Sequence, residues 1–218
     1  MRRVPPASRP AAGGGRWVEV GPDRLERWLA GFAARHGSTT VDAGPDRVVV
    51  TAADGARAEV EVPFPPLAGD LVAHVLRARR TGLLLVRLGG HAVGVAEGDR
   101  LVVSKVGSRP VHGRNAAGGW SQQRFARRRE GQVRVALQAA ADTAARVLVP
   151  HAASLDGVVL GGDRSAVEAV LEDPRLGPLR PLVTGRVLDV PDPRLAVLEQ
   201  ALPRARAVQV RVVDPPTG

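Results

Sequence analysis

The residue types and spacings that favour chemistry lie in one segment of the chain, between His112 and Glu130. It holds a glycine pair, Gly118 and Gly119, and, after two intervening residues, an amide pair, Gln122 and Gln123. Glycine lets a backbone approach a reacting group closely, and two neutral amides hold a water molecule from both sides. Such a loop suits hydrolysis of an activated ester, because this reaction needs no carboxylate or imidazole base.

Positive charge concentrates around the same segment. Between Lys105 and Arg134 the chain has eight basic residues and one acid, Glu130, so this stretch carries +7 of the net charge of +9. A cluster of this kind is the electrostatic footprint of a contact with a phosphate backbone. The sequence therefore favours a nucleic-acid partner for this part of the chain.

A long helix is predicted over Gln122–Val149, directly after the glycines. Its apolar residues fall within an arc of about 140° at 100° per residue. Arg124, Arg127 and Arg128 lie on the opposite side of that helix. The preceding residues, 107–121, contain four glycines and show no periodicity, which predicts a loop.

The segment resembles the central domain of the eukaryotic and archaeal class I peptide-chain release factors. The matching positions are His112-Gly113-Arg114, Gly118-Gly119, Ser121, Arg124-Phe125-Ala126-Arg127 and Arg129-Glu130, with a three-residue insertion at Asn115–Ala117. Trp120 stands where that family has its catalytic glutamine, directly after the two glycines. The later glutamine is similar to the loop of the Vms-like release factor family, and its bacterial members of actinobacterial type fit best.

The resemblance implies an activity, hydrolysis of the ester that joins a nascent peptide to tRNA, with peptidyl-tRNA and large-subunit ribosomal RNA as partners. It implies that Gln122, or in second place Gln123, positions the attacking water, while Gly118 and Gly119 allow the close approach. RNA contacts are expected from Arg114, Trp120, Arg124, Arg127 and Arg128. Trp120 has an equally good alternative, since it can cover the base of the loop instead of stacking on a nucleotide.

Two other functions stay open at this point: a non-catalytic RNA-binding module of the ribosome, and a ribonuclease that cuts tRNA near its acceptor end. No stop-codon-reading domain is recognisable. A compact chain of 218 residues has a radius of gyration of roughly 17 Å, too small to span the decoding and peptidyl-transferase sites. We therefore expect rescue or quality control on stalled or split ribosomes rather than normal termination.

The remaining patterns predict an α/β protein, with a mixed sheet that has helices on both faces. The resemblance implies that this part is an RNase H-like release-factor domain. We expect a disordered basic arm at residues 1–15, an additional N-terminal α/β portion at 16–80, and the release-factor-like domain at 81–214. The last strand, Ala207–Val213, is expected to complete the sheet of that domain.

The composition excludes several classes of site. The chain has no cysteine, which rules out disulfides and thiolate ligands and fits the cytoplasmic localisation that we expect. Its five histidines have no metal-ligand spacing, so we predict no metal and no cofactor. No stretch approaches the roughly 20 apolar residues of a membrane span. We expect a monomer.

Overall fold

The computed structural model describes residues 8–108 and 121–215, and of residues 121–128 it describes the backbone alone. The strands, in chain order, are β1 (Ser8–Pro10), β2 (Arg16–Val20), β3 (Thr39–Ala43), β4 (Arg47–Ala52), β5 (Arg57–Glu61), β6 (Arg80–Arg87), β7 (Gly90–Glu97), β8 (Arg100–Ser108), β9 (Gly157–Gly162), β10 (Val183–Leu188) and β11 (Val208–Val213). The helices are α1 (Leu25–His36), α2 (Leu71–Leu76), α3 (Ser121–Leu148), α4 (Arg164–Leu171) and α5 (Leu195–Arg206), with 3₁₀ segments at Pro22–Arg24, Val149–Ser154 and Pro174–Leu182.

The chain forms two compact units. The first consists of Met1–Arg77 and Arg206–Gly218, and the second of Ala78–Ala205. The first unit contains a six-stranded antiparallel sheet in the order β1-β2-β11-β5-β4-β3. Alternation along β4 buries Val48, Val50 and Ala52 on one face, and Leu25 and Phe32 of α1 join them in a common core. The alternating pattern of an antiparallel sheet with one buried face explains this arrangement.

The last strand belongs to this first sheet, so its expected place in the second domain was wrong. In β11, Val210 pairs with Val18 of β2 on one side and with Val60 of β5 on the other. Alternate residues of β11 enter the core of the first unit: Val208, Val210 and Val212. The physical reason is that strands far apart in the chain can pair. An alternating strand can complete any sheet with one buried face, provided that the register matches.

The expected disorder at residues 1–15 was also wrong for the part that the structure describes. Residues 8–10 form β1, which pairs antiparallel with β2. The turn that follows is held by Arg211, whose Nη2 atom donates to the carbonyl oxygens of Gly13 at 2.8 Å and Gly14 at 3.0 Å. These bonds order the turn, and the composition of residues 1–15 gave no sign of them because the donor, Arg211, is distant in the chain. Residues 1–7 lie outside the described chain.

The second unit is built on a five-stranded mixed sheet in the order β10-β9-β6-β7-β8. The strands β6, β7 and β8 form an antiparallel meander, and β9 and β10 run parallel to β6. Residues of α3, α4 and the 3₁₀ segment Pro174–Leu182 share one core with Leu84 and Val86 of β6. On the opposite face, a side chain at Gly94 of β7 would lie 3.0 Å from Leu198 of α5. This confirms the predicted mixed sheet with helices on both faces.

Helix α3 is the longest element, and its bounds agree with the predicted Gln122–Val149 to within one residue. Its 28 residues correspond to a length of about 42 Å. Among its described side chains, those from Arg129 to Ala139 are half-buried or exposed, and complete burial begins at Ala140. Among the described side chains of α3, complete burial in the core is therefore confined to the second half of the helix.

Candidate functional site

The predicted site residues fall at the start of α3 and immediately before it. The backbone of Gln122, Gln123, Arg124, Arg127 and Arg128 lies in the first turns of α3. Their side chains are outside the part of the chain that the structure describes. Of the predicted loop 107–121, the first two residues belong to β8 and the last to α3. Outside the described residues lie Arg114, Gly118, Gly119 and Trp120.

One edge of the second sheet gathers the chain ends that flank this loop. The parallel strands β6, β9 and β10 all end at this edge, because β9 pairs parallel with both others. Strand β8 also ends here, since Ser108 pairs with Gly90, the first residue of β7. Helix α3 runs the opposite way and ends near Gly82, whose added Cβ would lie 3.3 Å from Leu148. Ser108, the last described residue before positions 109–120, thus lies at the carboxyl edge of the sheet, where α/β proteins commonly bind ligands.

Arg87 ties the parts of this edge together. Its guanidinium Nη1 atom donates to the carbonyl oxygen of Val190 at 2.8 Å, and its Nη2 atom lies 3.6 Å from a carboxylate oxygen of Asp163. The same Asp163 accepts a hydrogen bond from the backbone N–H of Leu88 at 3.3 Å. The β6–β7 turn, the start of α4 and the segment after β10 are therefore fixed to one another.

A buried polar cluster joins the end of β8 to α3. His91 of β7 is 5% exposed, and its Nε2 atom lies 2.9 Å from the hydroxyl oxygen of Thr143 on α3. Thr143 itself donates to the carbonyl oxygen of Ala139 at 2.9 Å. Burial lowers the pKa of His91 below its ordinary value, so the ring is neutral at neutral pH. Gly107 of β8 pairs directly with His91.

A second cluster holds the same part of α3 from the outside. The Nη2 atom of Arg175 lies 2.6 Å from Asp142 and 2.7 Å from Asp173, and the amide of Gln138 donates to Asp142 at 3.1 Å. The Arg175 hydrogen bonds, and then the Gln138 amide, hold the pKa of Asp142 below its usual range. Because the side chains of Arg175 and Asp142 are 49% and 46% exposed, solvent screens their ion pair, and its effect is geometric more than energetic.

The sequence did not point to His91 and Thr143. The signal was present in a weak form, since Thr143 is a polar residue inside the apolar arc of the helix, between Ala140 and Val147. A lone histidine on a buried strand identifies no partner 52 residues away. Among residues 8–108 and 121–215, no group of three or more His, Cys, Asp or Glu side chains is arranged to hold a metal ion. In the same residues no helix is long and apolar enough to cross a membrane.

The second unit is thus a mixed α/β domain whose long helix starts with basic residues next to a glycine-rich segment at the carboxyl edge of the sheet. Residues 79–211 match the family described as the Actinobacteria/chloroflexi VLRF1 release factor. Since this match covers more than half of the 218 residues, the chain belongs to that family. This confirms the predicted relation to the actinobacterial-type Vms-like release factors.

Solved structures give more distant likenesses. The chain is similar to an archaeal translation termination factor, aRF1, with 17% identity and a TM-score of 0.46 over 87% of this chain and 63% of that one. It is also similar to a structure described as an archaeal protein, with 18% identity and a TM-score of 0.41 over 72% of this chain and 51% of the other. The chain therefore spans less than two thirds of either structure. No curated protein matches it significantly.

Proposed function

We propose that this protein is a peptidyl-tRNA hydrolase that frees nascent peptides from tRNA on stalled or split ribosomes. The observation that carries the proposal is the placement of Gln122 and Gln123 in the first turn of α3, with only Trp120 and Ser121 between them and the glycine pair, and within the release factor match. The first four N–H groups of a helix have no partner within it, and the positive end of its dipole favours anions. A helix that starts here is suited to a substrate made of RNA and an ester.

The proposed hydrolysis uses neutral groups: side-chain amides and backbone N–H groups. The ester between a peptide and the terminal ribose is already activated, so hydrolysis needs an oriented water and stabilisation of the developing oxyanion. In the proposal, the side-chain amide of Gln122 orients the water, with Gln123 as the second candidate. Gly118 and Gly119 let backbone N–H groups approach the ester carbonyl. A carboxylate in this position would be repelled by the surrounding phosphates.

Binding to RNA is assigned to the basic residues around the site. Of the cations in this group whose side chains the structure describes, Lys105 on β8 and Arg134 on α3 are exposed, and Arg129 on α3 is half-buried. The proposed contacts to acceptor-stem or ribosomal phosphates come from Arg114, Arg124, Arg127 and Arg128, with Trp120 as a stacking residue. A partner on the ribosome also sets the proposed localisation, the cytoplasm, and a chain of this size is proposed to act as a monomer.

The experiment that tests the proposal uses purified full-length protein and large ribosomal subunits that carry radiolabelled peptidyl-tRNA. Released peptide with tRNA of full length supports the proposed esterase. Shortened tRNA would identify a ribonuclease instead, and binding without any product would identify an RNA-binding module. Sedimentation with the subunits measures binding in the same reactions.

The glutamine assignment gives the first prediction. Gln122→Ala is expected to reduce the release rate by at least about 100-fold, the size of effect seen when an essential positioning or electrostatic group is lost, while binding to the subunit stays within about twofold. Gln132→Ala serves as the matched control, because it removes a half-buried glutamine of the same helix. Release at the wild-type rate by Gln122→Ala, together with loss in Gln123→Ala, would move the role to Gln123; full activity in both variants would overturn the mechanism.

A further inference from the structure

We propose that His91 is a positioning residue, which fixes the direction of α3 relative to the end of β8. It thereby sets the relative position of Ser108 and Ser121, the residues on either side of positions 109–120. The consequence for catalysis rests on the proposed function. His91, Gly107 and Thr143 are called the flank clamp below.

The hydrogen bonds of the flank clamp define the protonation of the ring. The Thr143 hydroxyl has one proton, which it donates to the carbonyl oxygen of Ala139. Its oxygen therefore accepts from His91, and the Nε2 atom of His91 must carry a proton. The clamp is thus a directed chain from the strand, through the hydroxyl, to the helix backbone. A directed chain of this kind specifies one orientation of the ring and of the helix turn that contacts it.

The absence of a side chain at Gly107 lets the His91 ring pack directly against β8. A Cβ atom at this position would lie 2.5 Å from both Cε1 and Nε2 of His91, a separation that no side chain tolerates. The ring therefore lies directly over the Gly107 backbone, one residue before β8 ends at Ser108. Glycine is needed for space here, because Gly107 is not among the residues with positive φ. The same ring thus contacts the strand that precedes the segment and the helix that follows it.

Because α3 is long, a small change in its direction near Thr143 moves the start of the helix by several ångströms. From the first completely buried position, Ala140, to the helix start at Ser121 there are 19 residues, or about 28 Å of helix. A tilt of about 10° at Ala140, one turn before Thr143, moves the helix start by about 5 Å, and about 2° moves it by about 1 Å, a displacement that costs an active site up to about 100-fold in rate. Of the described side chains between Arg129 and Ala139, none is completely buried, so the aim depends on the turns around Thr143. The Arg175–Asp142 pair is a further contact of α3 in this region.

The geometric claim is tested by spin-label distances. The chain has no native cysteine, so Ser104→Cys on β8 and Val135→Cys on α3, both exposed, label the two elements uniquely. Thr143→Val removes the hydroxyl at nearly constant shape and is expected to widen or shift the distance distribution. Thr143→Ser keeps the hydroxyl and is expected to restore the parent distribution. Thr184→Val is the matched control, because it removes a hydroxyl that bonds to Val158 in the same unit, away from α3.

The catalytic consequence is tested in the peptide-release reaction. Thr143→Val is expected to lower the maximal release rate at least tenfold while the dissociation constant for the large subunit changes less than threefold, and Thr143→Ser is expected to rescue the rate. If wild-type protein releases no peptide, the proposed function fails, yet the distance measurement still decides the clamp. Unchanged distances in folded Thr143→Val overturn the positioning role. If that variant does not fold, the distances of His91→Ala, which removes the ring and its N–H donor, decide instead: a widened or shifted distribution supports the clamp, and the parent distribution overturns it.

Discussion

Gly107→Ala is the substitution with the most sharply defined consequence in this structure. The added methyl group would lie 2.5 Å from two atoms of the His91 ring, whereas ordinary contact begins at 3.4 Å. The ring or the strand must therefore move by roughly 1 Å, the difference between these distances. His91 is 5% exposed and bonded to Thr143, so it has little room to move without losing that bond.

Two contributions set the expected loss in the free energy of unfolding. Forcing one extra methyl group into a packed core costs about 1–3 kcal/mol. Breaking the hydrogen bond to Thr143 leaves a buried N–H without a partner, which costs about 1–3 kcal/mol. Because partial relaxation relieves one term at the expense of the other, we expect a loss of about 2–4 kcal/mol in the free energy of unfolding. For a unit of this size, about 4 °C per kcal/mol, the melting temperature falls by about 8–16 °C.

Calorimetric and urea unfolding measure this loss, with Gly185→Ala as the control. Gly185 also lies in a strand of the same sheet, and an added Cβ there meets nothing within 4 Å, so its expected change is below about 0.5 kcal/mol. The double variant His91→Ala/Gly107→Ala gives the decisive comparison. Once the ring is gone, the new methyl group occupies vacated space, and the double variant should be more stable than the sum of the single effects by at least about 1 kcal/mol.

Either of two results would contradict the close packing of the His91 ring on Gly107. A Gly107→Ala protein within about 0.5 kcal/mol of wild type would show that the His91 ring is not seated on the strand. Additive effects in the double variant would show that the ring and the methyl group do not compete for the same space.

Three further predictions concern α3 and its surroundings. Gly131→Ala, in open space on the helix, should stabilise the protein by about 0.5–1 kcal/mol in thermal unfolding, and destabilisation would mean that the helix needs a bend there. Neutralising Arg124, Arg127 and Arg128 to Gln should lower the slope of log affinity for RNA against log salt by about two to three, measured by filter binding; an unchanged slope would mark them as a solvated face. Because burial lowers the pKa of folded His91, the unfolded chain binds a proton first as pH falls, so stability should decrease below about pH 6.5, and urea unfolding of His91→Gln should show a weaker decrease.

Local patterns were sufficient for the framework of the site. The apolar arc of residues 122–149 predicted α3 to within one residue of its observed bounds, because a helical period over many residues is a strong signal. The turns of the β6–β7–β8 meander lie at two glycines of the sequence, Gly89 and Gly98, both of which have positive φ, a conformation that favours glycine. Weaker periodicity gave weaker results. The edge strand β3 was not predicted, since four of its five residues are exposed and show no alternation.

The amino-acid sequence by itself determined the glycine and glutamine segment, the charge around it and the helix that follows, since each depends on residues close together in the chain. Only the tertiary structure decided that β11 completes the first sheet, and that His91 lies between Gly107 and Thr143. A strand with an alternating pattern specifies which face is buried but not which strand it pairs with. A buried histidine likewise has a hydrogen-bonding requirement but no local sign of the hydroxyl that meets it, because that partner is brought to it by the packing of a distant helix.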